Sequence, residues 1–312
     1  VAVMWSGGLP GFNNCVFRDN VASNTNGEAN GGAVFIADFN YASNPIEFNN
    51  CTFDRNRVEA KNSARGGALA IYTRVAFENC LIVNNKATAG YQNYTAGETA
   101  FGGGIFIQTN NNNVGEIVSM VNTTVANDTA IYGVMGNSIG GGIYLDGWPD
   151  QKFDMFNSIV WGNHAVQSGQ ENIDDGGYST FRADYNIIEN GNEFNRWFYI
   201  DNHNQMSDPQ FVDAENGNYQ LSDFSPAIGA GWTGWQTYTA PSTDIDGNAR
   251  PYGAGGVYPD LGAYENPLGV SPYPRQVQNL FAEGASYAVD LTWDENPDVN
   301  GNIDYYIVYM DT

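Results

Sequence analysis

The chain carries nearly the same nine-letter string three times: "FNNCVFRDN" over residues 12–20, "FNNCTFDRN" over 48–56 and "FENCLIVNN" over 77–85. Degenerate copies follow as "MVNTTVAND" (120–128), "MFNSIVWGN" (155–163) and "RADYNIIEN" (182–190). The third letter of each copy falls at 14, 50, 79, 122, 157 and 184, so the period is loose, at 36, 29, 43, 35 and 27 residues. A second string recurs between the copies: "GGAVFI" (31–36), "GGALAI" (66–71), "GGGIFI" (102–107) and "GGGIYL" (140–145). Self-similarity at this spacing means one small unit per repeat, unable to bury its apolar face except against its neighbours. The variable length sits in polar stretches between the strings, where insertion costs little.

Residues two apart share one face of a strand. Val34 and Ile36, Leu69 and Ile71, Ile105 and Ile107, and Ile143 and Leu145 therefore form one inward set. A second short strand ends in Phe48, Phe77 or Met120, and a third turns Cys51 and Phe53, Cys80 and Ile82, or Thr123 and Val125 inward. Such pieces are too short for helices and too few per unit to close a sheet, but a coil of about 30 residues laid on the next pairs every strand with its equivalent. The expected fold class is all-β, a right-handed parallel β-helix with three short strands per coil over residues 1–205. The 37 glycines and the many asparagines agree, being poor helix formers and good corner residues.

Asparagine tolerates the left-handed backbone of a sharp corner and can bond its amide to the equivalent residue one coil away. One ladder is expected through Asn14, Asn50, Asn79, Asn122 and Asn157, and a second through Asn20, Asn56, Asn85 and Asn163, interrupted by Asp128. The paired glycines suit the point where a polar loop re-enters the first strand. Cys15, Cys51 and Cys80 are expected to stack as small buried hydrophobes; three residues cannot all pair, and free thiols are favoured over a bridge between coils.

The pairing of "GGA" with "FxxN" (Phe17 to Asn20, Phe53 to Asn56) resembles the repeat of polymorphic outer membrane proteins and related bacterial surface β-helices with the pectin-lyase-like fold, over about residues 1–200. The run "DPQFVDAENGNYQLSDFSPAIGAG" (208–231), with "DIDGNARP" (244–251) and "PDLGAYE" (259–265), resembles the C-terminal closing module of secreted bacterial β-helix proteins of the choice-of-anchor Q type. It marks residues 206–268 as that module. Within a final segment, 269–312, residues 274–312 are similar to the opening of a fibronectin type III β-sandwich, with Leu291 and Trp293 on its strand B and Tyr306 and Val308 on its strand C. Those 39 residues fall short of the ~100 of a full sandwich, so the chain reads as a fragment, as does its start in mid-strand at "VAVMW". The resemblances imply a secreted bacterial protein at the cell surface or outside the cell. The expected function is a non-catalytic scaffold or adhesin-like module; the alternatives are a polysaccharide-binding or polysaccharide-degrading protein and a subunit of an extracellular fibre.

Charge narrows the partners. Lys+Arg 12 against Asp+Glu 35 leaves a net charge of −23, without the basic stripe that nucleic acid or an anionic membrane surface requires. No run approaches the ~18 apolar residues of a transmembrane span. An extracellular glycan or protein surface is the expected partner.

The fold named above also hosts lyases and glycosidases, so catalysis needs its own argument. Arg18 and Arg55 read as equivalent corner positions, solvated in preference to catalytic, since the third unit has Val83 there. Asp174 and Asp175 are adjacent, and neighbours on a strand point to opposite faces. His164 and His203 are isolated, and the G-H-G and R-I-K strings of polygalacturonases are not seen. Asp244, Asp246 and Asn248 resemble the start of a calcium loop, but the twelfth position is Gly255, so a turn held by its own side chains is the simpler reading and bound Ca²⁺ the alternative. Two aromatic groups suggest glycan stacking: an outward column of Phe35, Phe106 and Tyr144, and the pair Trp232 and Trp235 near Tyr238. The competing reading covers the column with insertions such as 88–100 and plugs the end of the rod with the two tryptophans. Sequons occur at Asn93, Asn122 and Asn127, and modification of Asn122 conflicts with a place in the ladder.

Overall fold

The structure is a computed structural model that describes residues 2–5, 11–38, 45–90, 98–108, 117–133, 136–146, 152–166, 171–174, 176, 180–190, 198–200, 203–253, 256–270, 281–285 and 288–292. Among these there is no α-helix, and no helix long and apolar enough to cross a membrane. Strands of two to five residues build five parallel sheets. Sheet 1 holds Ala2–Trp5, Val34–Asp38, Leu69–Tyr72, Ile105–Gln108, Ile143–Asp146 and Ile173–Asp174. Sheet 2 holds Gly11–Asn13, Ile46–Asn49, Val75–Glu78, Ile117–Val121, Lys152–Phe156, Thr180–Asp184 and Phe198–Ile200. Sheet 3 holds Val16–Arg18, Thr52–Asp54, Leu81–Val83, Thr124–Ala126, Ile159–Trp161 and Ile187–Ile188. Sheet 4 holds Val21–Asn24, Arg57–Ala60, Lys86–Ala89 and Thr129–Tyr132, and sheet 5 holds Ala29–Asn30, Ser63–Arg65, Glu98–Phe101 and Gly136–Ile139. Within every sheet the strands follow chain order, each turn of chain adding one strand to each stack, which is consistent with a parallel β-helix.

The coil therefore has five strands through its first four turns, where three were expected. The three expected strands enclose the main core. Val34, Ile36, Leu69, Ile71, Ile105, Ile107, Ile143 and Leu145 are buried there with Phe48, Phe53, Phe77, Met120 and Val125. Equal side chains stack along the axis: Phe12 on Phe48 at 4.9 Å and 7°, Phe48 on Phe77 at 5.4 Å and 13°, and Phe17 on Phe53 at 4.7 Å and 3°. Sheets 4 and 5 enclose a second, thinner core of Val58, Ala60, Ala64, Ala87, Ala89, Ala100 and Ala130. Methyl-sized side chains let the two sheets close on each other, and they leave too little apolar bulk in the sequence to advertise a strand.

Each of the first four coils turns three left-handed corners, and the fifth repeats the first two. Asn14, Asn50, Asn79, Asn122 and Asn157 take the first, with φ of 53°, 53°, 50°, 45° and 50°. Asp19, Arg55, Asn84, Asn127 and Gly162 take the second, and Gly31, Gly66, Gly102 and Gly140 the third. The glycine after each third corner is needed for space as well: a Cβ on Gly32 would lie 2.0 Å from the Gly67 carbonyl oxygen. The sixth coil corrects the alignment by one residue. Asp184 pairs with Phe156, so Tyr185, at φ 55°, replaces asparagine at the first corner.

Only one of the two expected ladders runs along the axis. Asn20 Nδ2 donates to Asn56 Oδ1 at 2.8 Å, Asn56 to Asn85 at 2.9 Å and Asn85 to Asp128 Oδ1 at 2.9 Å. Asp128 thus continues the ladder it was expected to interrupt, and the Asp128 N–H then donates to Asn163 Oδ1 at 2.9 Å. In the other set only Asn157 reaches its neighbour, donating to Asn122 Oδ1 at 3.3 Å. From Asn79 onward these amides serve the C-terminal segment. Asn79 Nδ2 donates to Thr243 O at 2.6 Å and Asn122 Nδ2 to Asp260 O at 3.0 Å.

Residues 208–270 run along the flank of the rod, over successive coils. Their strands are short antiparallel pairs, Phe211–Asp213 with Asn218–Leu221 and Gly234–Trp235 with Tyr238–Thr239. Underneath, the outer face of sheet 3 changes character. It presents Val16, Arg18, Thr52 and Asp54 in the first two coils, and Leu81, Val83, Ala126, Ile159 and Ile187 in the later ones. Tyr219 packs on Leu81, Val83 and Ala126, its hydroxyl donating to Asn84 Oδ1 at 2.8 Å and accepting from Asn127 Nδ2 at 3.0 Å. Leu221, Ala227, Ile228 and Leu261 cover Ile159 and Ile187. Arg250 pins the segment down: its wholly buried guanidinium pairs with Glu265 at 2.9 Å and donates to Asn79 Oδ1 at 3.2 Å. Beyond it, Phe281–Ala285 pairs antiparallel with Ala288–Thr292; Trp293, Tyr306 and Val308 lie outside the described residues.

Candidate binding site

Where the flanking segment crosses the first corners of the last coils, it lays aromatic rings on the rod. Asn157 holds the crossing point: its Nδ2 donates to Trp232 O at 2.8 Å and its Oδ1 accepts the Trp232 N–H at 3.0 Å. One coil further, Tyr185 occupies the equivalent corner, so the Trp232 ring meets an aromatic face there. Four rings follow in a stack. His203 lies on Tyr185 at 4.4 Å and 5°, Tyr185 on Trp232 at 5.7 Å and 16°, and Trp232 on Tyr258 at 4.8 Å and 20°. Trp232 is 39% exposed although both its backbone polar groups are held.

A second group adjoins this stack on the outer face of sheet 2. Trp235 stacks on Phe156 at 6.0 Å and on Tyr238 at 6.3 Å, with the Arg182 guanidinium 6.0 Å from its centroid. Arg182 is fixed by a bidentate pair with buried Asp154, Nε to Oδ1 at 2.6 Å and Nη2 to Oδ2, and Tyr238 donates its hydroxyl to the same Oδ2 at 2.9 Å. The bond to Asp154 raises the Arg182 guanidinium above its ordinary value, and burial pushes the Tyr238 phenol up, so neither hydroxyl nor guanidinium is tuned to lose a proton near neutrality. Within the stack Tyr185 and Trp232 each carry a ring on either side, so what the shelf offers a sugar ring or another aromatic group is the exposed part of Trp232, the outer rings of the stack and the fixed charge beside them.

Of the residues singled out in sequence, Trp232 and Trp235 come together here, on the flank and not at the end of the rod. The outward column of sheet 1 divides. Phe106 is 1% exposed, enclosed by Phe101, Tyr72 and Tyr144, with Arg65 5.7 Å from its centroid. Phe35 and Tyr144 are half-buried. Phe106 therefore has no open face for a ligand, because Phe101 of sheet 5 and Tyr72 and Tyr144 of its own sheet close around it.

Asp244 is buried, and its carboxylate serves the turn: Oδ1 accepts the N–H groups of Asp246 and Asn248 at 3.0 and 2.8 Å, and Oδ2 accepts Asn248 Nδ2 at 3.1 Å and the Glu265 N–H at 2.9 Å. Asp246 is exposed and reached by Gln220 at 3.3 Å. The three residues form a self-bonded turn, and among the described residues no cluster of His, Cys, Asp or Glu is arranged to hold a metal. Arg18 and Arg55 are not equivalent. Arg18 pairs in register with Asp54, Arg55 stands at the corner of Asp19, and both guanidinia converge on Asp54 at 2.9 and 2.8 Å. His203 is half-exposed and bonds Asp184 at 2.9 Å, while His164 bridges in parallel to Thr129. Cys15, Cys51 and Cys80 are free thiols stacked on the inner side, and Thr123 and Ser158 continue their column.

Tyr185 and Tyr258 were missed in sequence, and His203, read there as isolated, stacks on Tyr185. The signal for Tyr185 was a tyrosine where five copies have asparagine, hidden by the one-residue slip. No protein-family model matches the chain, and neither a curated protein nor a solved structure matches it at a significant level.

Proposed function

We propose that this chain is the rod of a secreted bacterial surface protein: a right-handed parallel β-helix of the pectin-lyase-like kind, acting as a non-catalytic, adhesin-like scaffold. The lateral aromatic shelf around Trp232 is its binding face, and the partner is an extracellular glycan or an aromatic-bearing protein surface. The observation that carries this reading is the stack from His203 through Tyr185 and Trp232 to Tyr258, in which an exposed tryptophan is held by both backbone groups on Asn157. A fixed ring loses little freedom on binding. The closing-module and fibronectin type III resemblances support a display role, in which the rod carries a lateral site away from its point of attachment.

A panel of polysaccharides, scored for binding and for release of unsaturated products, tests the reading. Binding without products, weakened about tenfold by Trp232→Ala, a loss of ~1.4 kcal/mol, is the expected result. A second reading, polysaccharide degradation, draws on Arg182, Asp154 and Tyr238 meeting beside Trp235. Product formation abolished by Arg182→Ala would establish it in place of the first.

A further inference from the structure

The thiol column provides a site that the scaffold does not require. Cys15 and Cys51 occupy equivalent positions in successive coils: Val16 and Thr52, the next residues, pair in register, and Cys15 O accepts the Thr52 N–H at 2.9 Å. Strands in a sheet lie about 4.8 Å apart, inside the Cα separation that a disulfide spans. The sulfurs face the same strip of backbone. Cys15 Sγ is 3.3 Å from Asn13 O, and Cys51 Sγ is 3.3 Å from both Phe12 O and Asn49 O. Access differs down the column, because Cys15 is half-buried whereas Cys51 and Cys80 are fully buried.

We propose that Cys15 and Cys51 form a thiol–disulfide exchange site, in which a small external disulfide oxidises the pair and staples the first described coil to the second. Cys15, the reachable thiol, attacks as its thiolate one sulfur of the external disulfide RSSR. A Cys15–S–S–R bond forms, and the other half leaves as a thiolate that takes up a proton. Cys51 then loses its proton and attacks the Cys15 sulfur; the second RS⁻ leaves and is protonated. Two protein thiols are oxidised by two electrons, one RSSR is reduced to two RSH, and Cys51 needs no opening to solvent because the sulfur it attacks is delivered by its neighbour. The ionisation pattern suits this order. Hydrogen bonding from Cys80, and from Cys15 on the other side, holds the Cys51 thiol down at about 7, while burial pushes that of Cys15 up, so the first attack accelerates as pH rises.

Oxidised glutathione is the probe. The folded full chain, incubated at about pH 8, blocked with an alkylating agent and digested, should give a Cys15–Cys51 linked peptide, with Cys80 alkylated only after denaturation. Cys80→Ser should give the same link at a similar rate, and Cys15→Ser should abolish it, with circular dichroism showing both variants folded. A persistent Cys15–glutathione adduct, a Cys51–Cys80 link, a link between two chains, or no reaction in the folded chain would each overturn the proposal. The wild-type peptide map alone decides it if a variant fails to fold.

Discussion

Asp128 takes two N–H groups of Asn85 on a single carboxylate oxygen, the backbone N–H at 2.6 Å and the side-chain amide at 2.9 Å. Its other oxygen is buried without a hydrogen-bond partner. The asparagines of this ladder do better: the Nδ2 groups of Asn56, Asn85 and Asn163 also reach the carbonyls of Phe17, Phe53 and Val125. Ile82 is the residue in register with Phe53 and Val125, so its carbonyl is the one an asparagine at 128 would reach. Asp128→Asn should therefore stabilise the protein at pH 7 by about 1–3 kcal/mol, measured by urea unfolding.

The same residue sets a pH dependence of definite sign. Burial pushes the Asp128 carboxyl well above the usual carboxylate range, so the folded chain keeps a proton that the unfolded chain releases. Its contribution is fully present below the unfolded carboxylate value and is lost as pH rises toward the folded one. The stability advantage of Asp128→Asn should thus grow from acid toward neutral pH. An advantage that shrank over that range would count against a protonated Asp128.

Arg250 ties the flanking segment to the rod through a pair with no exposure on either side. Arg250→Met strands Glu265 and Asp260 in a buried site and should cost about 3–5 kcal/mol. Adding Glu265→Gln should recover part of the loss. Limited proteolysis should show cleavage within 208–270 before cleavage in the coils.

Tyr219→Phe keeps the ring on Leu81, Val83 and Ala126 but removes the hydroxyl that joins Asn84 to Asn127. A loss of about 1–3 kcal/mol is expected, seen as a lower unfolding midpoint at unchanged slope.

Tyr185→Asn separates binding from folding. Asparagine is the better residue at a φ of 55°, which offsets the lost stacking on His203 and Trp232, so stability should change by less than about 1 kcal/mol. Glycan binding should nevertheless fall about tenfold, ~1.4 kcal/mol, in the assay that scores Trp232→Ala.

The stacking of coils was legible because identical side chains must meet along the axis: the phenylalanines, the "GG" corners and one asparagine ladder all follow from aligning the repeated strings. Sheets 4 and 5 were not, since their inward residues are mostly alanines, which carry almost no periodic signal. The flanking position of residues 208–270 left a trace that went unread. "TFD" (52–54) becomes "LIV" (81–83), replacing two outward polar residues with apolar ones, and an outward apolar strand needs a cover. The binding shelf was half legible. Its tryptophans stood out by type, but the rings that hold them come from a corner, a loop and a distant turn that only the fold brings together.

The change of character along the outer face of sheet 3 polarises how the molecule comes apart. The later coils are splinted by a segment whose own bonds reach several turns at once, whereas the turns carrying Val16, Arg18 and Thr52 rely on contacts between coils: the ladder, the stacked phenylalanines and the ion pairs at Asp54. Local opening should be easier at the unsplinted turns than at the splinted ones. Amide exchange would then be faster around Val16 than beneath Leu261.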